Sequence, residues 1–288
     1  MKKQTIVFLG TSQFSVPSLQ ALASDASFEV LAVITQPDRP AGRKMTLAPP
    51  PVKTEALQLK LPVLQPEKMN LACADISKNF PRPDFLVVVS YGQILSDDVL
   101  SWPTKAAVNI HASLLPLLRG ASPLQHAVLQ NLKESGVTVQ RMVKELDAGP
   151  VLSHASVKLS PRETSASLHD TLKVLGAELL LKTLKAPLKE VLQDASQATF
   201  CGKLEKAAGI ADTETMTAET IDRMVRALSP WPGVSIRGNK ILETSLQPEV
   251  ESLTVPCSNG TMLSVLRIQP PGGTPMSGAD FIRGNKQL

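Results

Sequence analysis

Two polar side chains near the middle of the chain, Asn109 and His111, close a strand-like run that begins at Ala106. Successive side chains of a strand point to opposite faces, so these two residues project from the same face. Asp147 follows a second apolar stretch and lies in a turn-like segment at 146–149. An amide donor, an imidazole and a carboxylate together suit acyl transfer to an amine. One group can stabilise an oxyanion, one can move a proton and one can orient the imidazole.

The same residues are also compatible with a purely structural role. An Asn-x-His pair at a strand end is often satisfied by backbone groups of the turn that follows it. The Asp-x-Gly sequence at 147–149 is ordinary turn chemistry. The elements that surround these residues therefore decide between the two interpretations.

The first half of the chain alternates apolar strand-like runs with helical patterns, which is typical of βαβ units and a mostly parallel sheet. The last two strands alternate in polarity and are expected at an antiparallel edge. In an open α/β sheet the ligand crevice lies at the carboxyl ends of the strands. The polar residues of the strand that ends at His111 are therefore expected to lie at this crevice. The pattern predicts strands at 6–9, 30–35, 85–90, 107–111, 137–142 and 151–159, and helices at 16–23, 123–131 and 164–184.

The region after residue 187 differs in composition from the first half. Residues 187–199 are polar and mixed, which indicates a linker. Several short strands separated by turn signals favour a small barrel or a sandwich after it. The pattern predicts a helix at 218–228 and β-like runs at 234–237, 240–244, 253–255 and 262–268.

Composition restricts the class of protein further. The 288 residues are 43% hydrophobic, enough for one large domain or two of moderate size. No apolar run reaches the roughly 18 residues of a spanning helix, and the strand-like start at 5–9 argues against a signal peptide, so a cytoplasmic location is expected. Cys73, Cys201 and Cys257 are far apart and the four histidines lack metal-site spacing. We therefore expect small core cysteines and no metal.

The charge distribution favours one segment as a contact for an anionic partner. The net charge is only +4, which permits such a partner without requiring one. Bases are concentrated in the Pro- and Gly-rich segment 38–53, with Arg39, Arg43 and Lys44 at its centre. By composition alone this segment is a solvated flexible loop.

A series of motifs in a fixed order extends over nearly the whole chain. The ordered set resembles the methionyl-tRNA formyltransferases, within the wider family of formyltransferases that use 10-formyltetrahydrofolate. The motifs in this chain that carry the resemblance include Phe8-Leu9-Gly10-Thr11, Gln36-Pro37-Asp38-Arg39-Pro40-Ala41-Gly42-Arg43, Val89-Ser90-Tyr91-Gly92-Gln93-Ile94-Leu95, the block from Asn109 to Pro123, Gly136-Val137-Thr138, Leu146-Asp147-Ala148-Gly149, Ser167-Leu168-His169-Asp170 and Pro230-Trp231-Pro232-Gly233.

The resemblance implies a two-domain enzyme of translation initiation. A Rossmann-like catalytic domain would occupy residues 1–188, a linker 189–205, and a C-terminal β-barrel (OB-like) that helps to hold tRNA 206–288. The implied reaction moves a formyl group from 10-formyltetrahydrofolate to the α-amine of methionine on initiator methionyl-tRNA. The implied enzyme is a monomer that needs no metal, in a bacterial cytoplasm or, less favoured, an organellar matrix.

The resemblance also implies roles for particular residues. Asn109, His111 and Asp147 match the catalytic trio. Asn109 would stabilise the oxyanion, His111 would add charge or move a proton, and Asp147 would orient His111 or relay a proton through water. The tRNA acceptor stem would meet Arg39, Arg43 and Lys44. The folate would be bound by Ser90, Tyr91, Gly92, Gln93, Ile94, Leu95, Ser113, Leu114, Leu115, Pro116, Gln140 and Met142.

Other activities share this trio. A formyltransferase that acts on an amino sugar, or a hydrolase that releases formate from the same folate, would use the same three residues. The basic segment 38–53 and the C-terminal β region argue against both, because a small-molecule enzyme needs neither. The C-terminal region also argues against glycinamide ribonucleotide formylation. A folate- or RNA-binding protein without catalysis would gain little from the trio.

Overall fold

The computed structural model describes residues 2–41 and 45–284. The strands are β1 (Gln4–Gly10), β2 (Phe28–Ile34), β3 (Arg39–Ala41), β4 (Thr46–Ala48), β5 (Val63–Leu64), β6 (Phe85–Val89), β7 (Ala106–His111), β8 (Arg119–Gly120), β9 (Glu134–Arg141), β10 (Val151–Lys158), β11 (Phe200–Cys201), β12 (Val234–Ile236), β13 (Asn239–Ser245), β14 (Leu253–Pro256), β15 (Met262–Gln269) and β16 (Met276–Ser277). The α-helices are α1 (Val16–Ser24), α2 (Pro51–Gln58), α3 (Met69–Asn79), α4 (Asp97–Leu100), α5 (Pro123–Leu129), α6 (Ser165–Lys185), α7 (Ala218–Leu228) and α8 (Gly278–Arg283).

The chain divides into two compact units. The first comprises residues 1–120, 135–157 and 169–200, and the second comprises 121–134, 158–168 and 201–288. The segment 189–200, predicted as part of a linker, thus belongs to the first unit. Among the described residues, no helix combines the length and the apolar character needed to cross a bilayer.

The first unit is organised around a seven-stranded sheet with the order β10-β9-β7-β6-β1-β2-β5. The strands from β7 to β5 are parallel, whereas β9 runs antiparallel to β7. Strands β2 and β5 lie on one side of β1, and the next strands along the chain, β6 and β7, lie on the other side. This reversal of strand order opens a crevice at the carboxyl ends of β1 and β6, next to the end of β7.

The core of the first unit is mainly aliphatic, because only 3% of the residues are aromatic. All five residues of β6 are buried, as expected for a parallel strand covered on both faces. Val7 and Leu86 from the sheet pack in one cluster with Met69 of α3 and Val99 of α4. Burying one such side chain stabilises the folded state by about 1.5–3 kcal/mol. The core therefore holds the strands in place, and with them the polar residues at their carboxyl ends.

The second unit contains a separate antiparallel sheet. Its order is β12-β13-β15-β14, and β16 pairs with the free part of the β15 edge beyond β14. Helix α7 begins where the Thr217 side chain accepts a hydrogen bond from the Thr220 amide, an N-cap that satisfies one otherwise unpaired donor. Ile221, Val225 and Leu228 recur at helical spacing and are buried, so one face of α7 lies in the core.

A buried carboxylate, Asp222 of α7, joins three segments of the second unit. It accepts hydrogen bonds from Arg162 (2.7 Å), from Arg226 (2.9 Å) and from the Thr244 hydroxyl (2.8 Å). Arg162 also donates to the Thr244 carbonyl oxygen. The segment 158–168 is therefore fastened to α7 and β13 by charged hydrogen bonds.

The predicted fold class is confirmed: a mostly parallel α/β sheet is followed by a separate antiparallel sheet. The helix predicted at 218–228 has the same bounds as α7, and the strands predicted in the first half lie within three residues of the observed ones. Sequence analysis missed the helices α2, α3, α4 and α8. Helices α2, α4 and α8 are short, so periodicity has few residues to act on, and α3 buries only Met69 and Cys73, too few to form an apolar stripe.

The segment 38–53 is not simply a solvated loop, and that prediction is wrong. Strands β3 and β4 pair antiparallel within it, and helix α2 begins at Pro51. Asp38 accepts hydrogen bonds from Lys53 (2.7 Å) and from Gln65 (2.8 Å). These hydrogen bonds, most strongly that from Gln65, lower the pKa of Asp38. Two strands of only three residues each, one of them with a proline, carry almost no periodic signal, which explains the error.

Candidate active site

The polar face of β7 lies at the carboxyl end of the parallel strands. Asn109 is in register with Val88 of β6 on one side and with Gln140 of β9 on the other. His111, two residues further, is in register with Thr138 and is buried. The alternation predicted from the sequence therefore places both side chains at the edge where a ligand crevice forms.

The His111 ring lies between two oxygen acceptors. Its Nε2 atom is 2.8 Å from the Leu118 carbonyl oxygen, and its Nδ1 atom is 3.6 Å from Oδ2 of Asp147. A carbonyl oxygen can only accept, so Nε2 carries a hydrogen and donates it. In the neutral ring Nδ1 is then the free lone pair and faces the carboxylate. A proton that joins the neutral ring is therefore added at Nδ1, on the side of Asp147.

Asp147 is held in the turn after β9 by neutral donors. Its Oδ2 accepts from the Gly120 amide (2.9 Å) and its Oδ1 accepts from Nε2 of Gln140 (3.0 Å). Its backbone has φ of 50°, a left-handed conformation that Asp tolerates better than most residues. The carboxylate is thus positioned beside His111 by a backbone amide and a side-chain amide.

Gln193 holds the backbone of the same turn. Its Nε2 donates to the carbonyl oxygens of Asp147 (2.8 Å) and Gly149 (2.7 Å). Its Oε1 accepts two hydrogen bonds from the buried Arg119 guanidinium, at 3.0 and 2.7 Å. A Cβ atom on Gly149 would lie 1.8 Å from the Arg141 carbonyl oxygen, so only glycine fits there. These contacts fix where the Asp147 carboxylate can lie.

Asn109 presents its amide nitrogen toward β6. The Nδ2 atom donates to the Val88 carbonyl oxygen (3.0 Å), and Oδ1 accepts from Nε2 of Gln140 at 3.4 Å. An amide nitrogen carries two hydrogens, so one hydrogen of Nδ2 is left for another acceptor. The three predicted catalytic residues thus lie in one network, with Gln140 bonded to both Asn109 and Asp147.

The first predicted folate-binding segment, residues 90–95, follows β6 directly. Ser90 and Gly92 both have positive φ, 48° and 93°, so the chain turns sharply there. The Tyr91 side chain lies in the core, where burial raises its pKa to about 12 and its hydroxyl has no partner among the described residues. Ile94 is 83% exposed, whereas Leu95 is buried. The backbone of this segment, not the tyrosine ring, lies next to the crevice.

The side chains of residues 90–95 also bind neighbouring segments. The Ser90 hydroxyl accepts from the Ser12 hydroxyl (2.9 Å), which links the ends of β6 and β1. Gln93 accepts from the Met69 amide and donates to the Glu67 carbonyl oxygen. The turn after β6 is therefore tied both to the end of β1 and to the start of α3.

The second predicted folate-binding segment, residues 113–116, follows β7. The Ser113 hydroxyl donates to the Leu117 carbonyl oxygen at 2.5 Å, and the Leu115 amide donates to Oγ1 of Thr138. The Pro116 carbonyl oxygen accepts from the Thr199 amide. Met142, beyond β9, donates its amide hydrogen to the Ala107 carbonyl oxygen. Residues 113–116, which include Leu114, are thus held by several hydrogen bonds beside the end of β7.

The predicted tRNA-binding residues are only partly described. Arg39 forms an ion pair with Glu67 at 2.7 Å, and both side chains are more than half exposed. Arg43 and Lys44 lie outside the described residues. An exposed pair of this kind contributes little to stability, so Arg39 can exchange Glu67 for another anion at small cost.

Sequence analysis missed the Gly120 amide, the Leu118 carbonyl oxygen and Gln193 as parts of the site. The first two are backbone groups, whose direction is set by the turn and not by residue type. Gln193 lies 46 residues from Asp147 in a polar stretch, so no local pattern marks it. Gln140 was predicted only as a folate-binding residue, and its bonds to Asn109 and Asp147 depend on the pairing of β9 with β7.

The fold and the polar network together define a two-unit group-transfer enzyme. Residues 3–184 match the family model described as formyl transferase, and residues 203–286 match the formyl transferase C-terminal domain. The chain therefore belongs to the formyl transferase family. It is 39% identical to the methionyl-tRNA formyltransferase of Bacillus subtilis (strain 168) over 97% of this chain and 94% of the relative. It is 41% identical to that of Methylococcus capsulatus, over 97% and 96%.

Solved structures show the same fold at low sequence identity. The N-formyltransferase from Helicobacter canadensis, in complex with folinic acid and dTDP-3-aminofucose, aligns with a TM-score of 0.69 at 14% identity, covering 92% of this chain and 99% of that one. HypX from Aquifex aeolicus in complex with tetrahydrofolic acid aligns with a TM-score of 0.65 at 16% identity, covering 98% of this chain. The chain spans about half of HypX, 47% of its length. At these identities the likeness concerns the fold alone.

Proposed function

We propose that this enzyme transfers a formyl group from 10-formyltetrahydrofolate to the α-amino group of methionine on initiator methionyl-tRNA. The observation that carries the proposal is the convergence of Asn109, His111 and Asp147 in one partly buried network at the carboxyl end of β7. The curated relatives, about 40% identical over nearly the whole chain, support the choice of acceptor.

Each member of the trio has a role that its contacts support. 10-Formyltetrahydrofolate, a co-substrate, supplies a formyl carbon to which the amine adds, and its carbonyl oxygen gains negative charge. The free Nδ2 hydrogen of Asn109 donates to that oxygen, a type of contact whose loss costs about 100- to 1,000-fold in rate. His111, protonated on the side of Asp147, adds positive charge. Asp147 orients the ring and accepts the proton of the amine, directly or through a water.

The overall reaction conserves atoms and charge. The amine nitrogen bonds to the formyl carbon, and the bond from that carbon to the folate nitrogen breaks. The proton lost by the amine passes through His111 and Asp147 to the departing nitrogen. No metal is required in this proposal, because hydrogen bonds and the His111 charge stabilise the oxyanion.

The folate co-substrate fits polar groups that lie beside the trio. Gln140 has a buried Oε1 without a hydrogen-bond partner among the described residues, and an acceptor of this kind suits the N–H groups of a pterin ring. We assign the backbone of residues 90–95 and of 113–116, together with Met142, to the same pocket. The sharp turn at Ser90 and Gly92 directs backbone groups away from the sheet, which supports this assignment.

The acceptor tRNA is assigned to the basic segment and the second unit. We propose that Arg39, Arg43 and Lys44 contact phosphates, and that the affinity for tRNA therefore falls as salt rises. The proposed division places catalysis in residues 1–188 and tRNA binding in 206–288, with a linker between them. We propose that the enzyme acts as a monomer in the bacterial cytoplasm.

Formyl transfer to charged initiator tRNA tests the proposal directly. Native protein is expected to form formylmethionyl-tRNA, and Arg43→Ala is expected to raise the KM for tRNA with little change in kcat. Consumption of 10-formyltetrahydrofolate without formylated tRNA would contradict the proposed acceptor. That result would favour the amino-sugar formyltransferase or the 10-formyltetrahydrofolate hydrolase, which use the same trio.

A further inference from the structure

Gln140 lies at the centre of the polar network rather than at its edge. It is in register with Asn109 on the neighbouring strand and is only 2% exposed. Its Nε2 atom is 3.0 Å from Oδ1 of Asp147 and 3.4 Å from Oδ1 of Asn109. One amide group therefore donates to two members of the trio.

The carboxylate of Asp147 determines which way the Gln140 amide points. A carboxylate accepts hydrogen bonds and cannot donate them. If the Gln140 amide were turned over, Oε1 would face Oδ1 of Asp147, and two negative oxygens would meet. Oε1 has no hydrogen-bond partner among the residues that the structure describes, so the Nε2 contacts alone set the orientation.

The Gln140 amide in turn determines which way the Asn109 amide points. In the observed orientation Oδ1 of Asn109 accepts from Gln140 and Nδ2 donates to the Val88 carbonyl oxygen. In the opposite orientation two donors would face each other at Gln140 and two acceptors at Val88. Asn109 therefore keeps an N–H hydrogen, and not a carbonyl oxygen, available at the site.

We propose that Gln140 is a positioning residue for formyl transfer. It transmits the orientation set by the Asp147 charge to Asn109, so that Asn109 presents a donor to the formyl oxygen. The inference rests on the proposed function and gives Gln140 no contact with the reacting atoms. It goes beyond a place in the folate pocket, because it assigns a geometric task to the Nε2 group.

The variant Gln140→Met tests the proposal, since methionine resembles glutamine in length but cannot donate to either oxygen. We expect kcat to fall on the order of 10- to 100-fold, as for a small misplacement of a catalytic group. The KM for tRNA is expected to change little, whereas the KM for folate is expected to rise, because the substitution also removes Oε1. A folded Gln140→Met protein with native kcat would overturn the proposal.

The variant Gln140→Glu adds a readout that a packing role would not move. At neutral pH its carboxylate would face Asp147, and such a pair keeps one proton at higher pH than an isolated carboxyl does. The protonated form can donate one hydrogen, so kcat relative to native is expected to rise as the pH falls. His111 is the other titratable group that faces Asp147, and it is common to both proteins. A constant ratio across pH would contradict the proposal, even if Gln140→Met does not fold.

A matched control and a direct observation complete the test. Gln197→Met makes the same change at an exposed residue that bonds Asp194, and native kcat is expected. The side-chain amide of Asn109 can be followed by ¹H–¹⁵N NMR without any acceptor substrate. We expect its resonances to shift in Gln140→Met and to remain in Gln197→Met.

The two measurements separate the inference from the proposed function. If native protein does not formylate tRNA but the Asn109 resonances shift, the acceptor is wrong and the positioning role stands. If tRNA is formylated but the Asn109 resonances are the same in native protein and Gln140→Met, the function stands and the positioning role is overturned.

Discussion

Two carboxylates, the partly buried Asp147 in the first unit and the buried Asp222 in the second, have partners of different charge. Asp222 accepts hydrogen bonds from two guanidinium groups and a hydroxyl. Asp147 accepts from a backbone amide and from Gln140, and faces the His111 ring. Among residues 2–41 and 45–284, no lysine or arginine lies within ion-pair distance of it.

The comparison shows how the charge of its partners distinguishes a structural carboxylate from one that we propose to be reactive. Guanidinium groups stay charged at any ordinary pH, so Asp222 is neutralised permanently and serves to join segments. Asp147 instead faces an imidazole, the His111 ring, and imidazole is the side chain best suited to carry protons near neutral pH. The same residue type therefore joins segments in the second unit and, in the proposed mechanism, takes part in proton transfer in the first.

The largest expected effect comes from removing the titratable partner of Asp147. In His111→Ala the oxyanion loses a charge and the proton loses its carrier, so kcat is expected to fall about 100- to 10,000-fold. Single-turnover formylation measures this effect. His154→Ala, at an exposed position on β10, serves as the control with native kcat. Retention of most activity by His111→Ala would place proton transfer elsewhere.

Removing the second carboxylate is expected to affect stability and not the chemical step. Asp222→Ala removes a buried carboxylate from the guanidinium groups of Arg162 and the partly buried Arg226, so the free energy of unfolding should fall by about 3–5 kcal/mol. Urea unfolding, with formylation assayed well below the transition, measures both quantities. Asp280→Ala, which removes an exposed partner of Arg283, is expected to keep the native urea midpoint. A normal midpoint for Asp222→Ala would deny the structural role.

A smaller effect is expected when the turn around Asp147 is loosened. Gln193→Met removes the donor to the carbonyl oxygens of Asp147 and Gly149 and the acceptor of Arg119. We expect kcat to fall about tenfold, because a displaced carboxylate no longer meets the imidazole in the productive geometry. Initial-rate kinetics beside Gln197→Met, in the same segment, measures the difference. If Gln193→Met and Gln197→Met have the same kcat, the turn keeps its conformation without Gln193.

The smallest effect concerns a third carboxylate, Asp25, which is bound by Lys185 at the end of α6. The hydrogen bond from Lys185, and then that from the Ser27 amide, lower the pKa of Asp25 to about 2 from 3.8. The folded state therefore binds its proton more weakly than the unfolded chain does. The pair contributes stability above about pH 4 and loses that contribution as the pH falls toward 2. The free energies of unfolding of native protein and Asp25→Asn, measured at a series of falling pH values, should differ at neutral pH and converge near pH 2. A difference that stays constant over this range would refute the linkage.

Local patterns were enough to predict the elements that carry the site. The two-residue spacing of Asn109 and His111 indicated a shared strand face, and the structure places both on β7. The helix predicted at 218–228 has the same bounds as α7. In both cases the determining residues lie within a few positions of one another, so residue type and spacing contain the information.

The remaining parts of the site depend on residues distant in sequence. The Gly120 amide lies 27 residues from the carboxylate to which it donates, and Gln193 lies 46 residues from the turn that it holds. A glutamine in a polar stretch looks like any solvated residue until the fold brings it back to the sheet. Backbone donors such as Gly120 have no residue signature at all.

The sequence by itself determined the α/β alternation, the separate β-rich end and the identity of the three candidate catalytic residues. These features follow from short-range periodicity and from ordered motifs. Only the tertiary structure decided that Gln140 bridges Asn109 and Asp147, and that Asp147 faces an imidazole whereas Asp222 faces two guanidiniums. The physical reason is that the environment of a buried carboxylate is set by which segments pack around it, and that packing is a property of the whole fold.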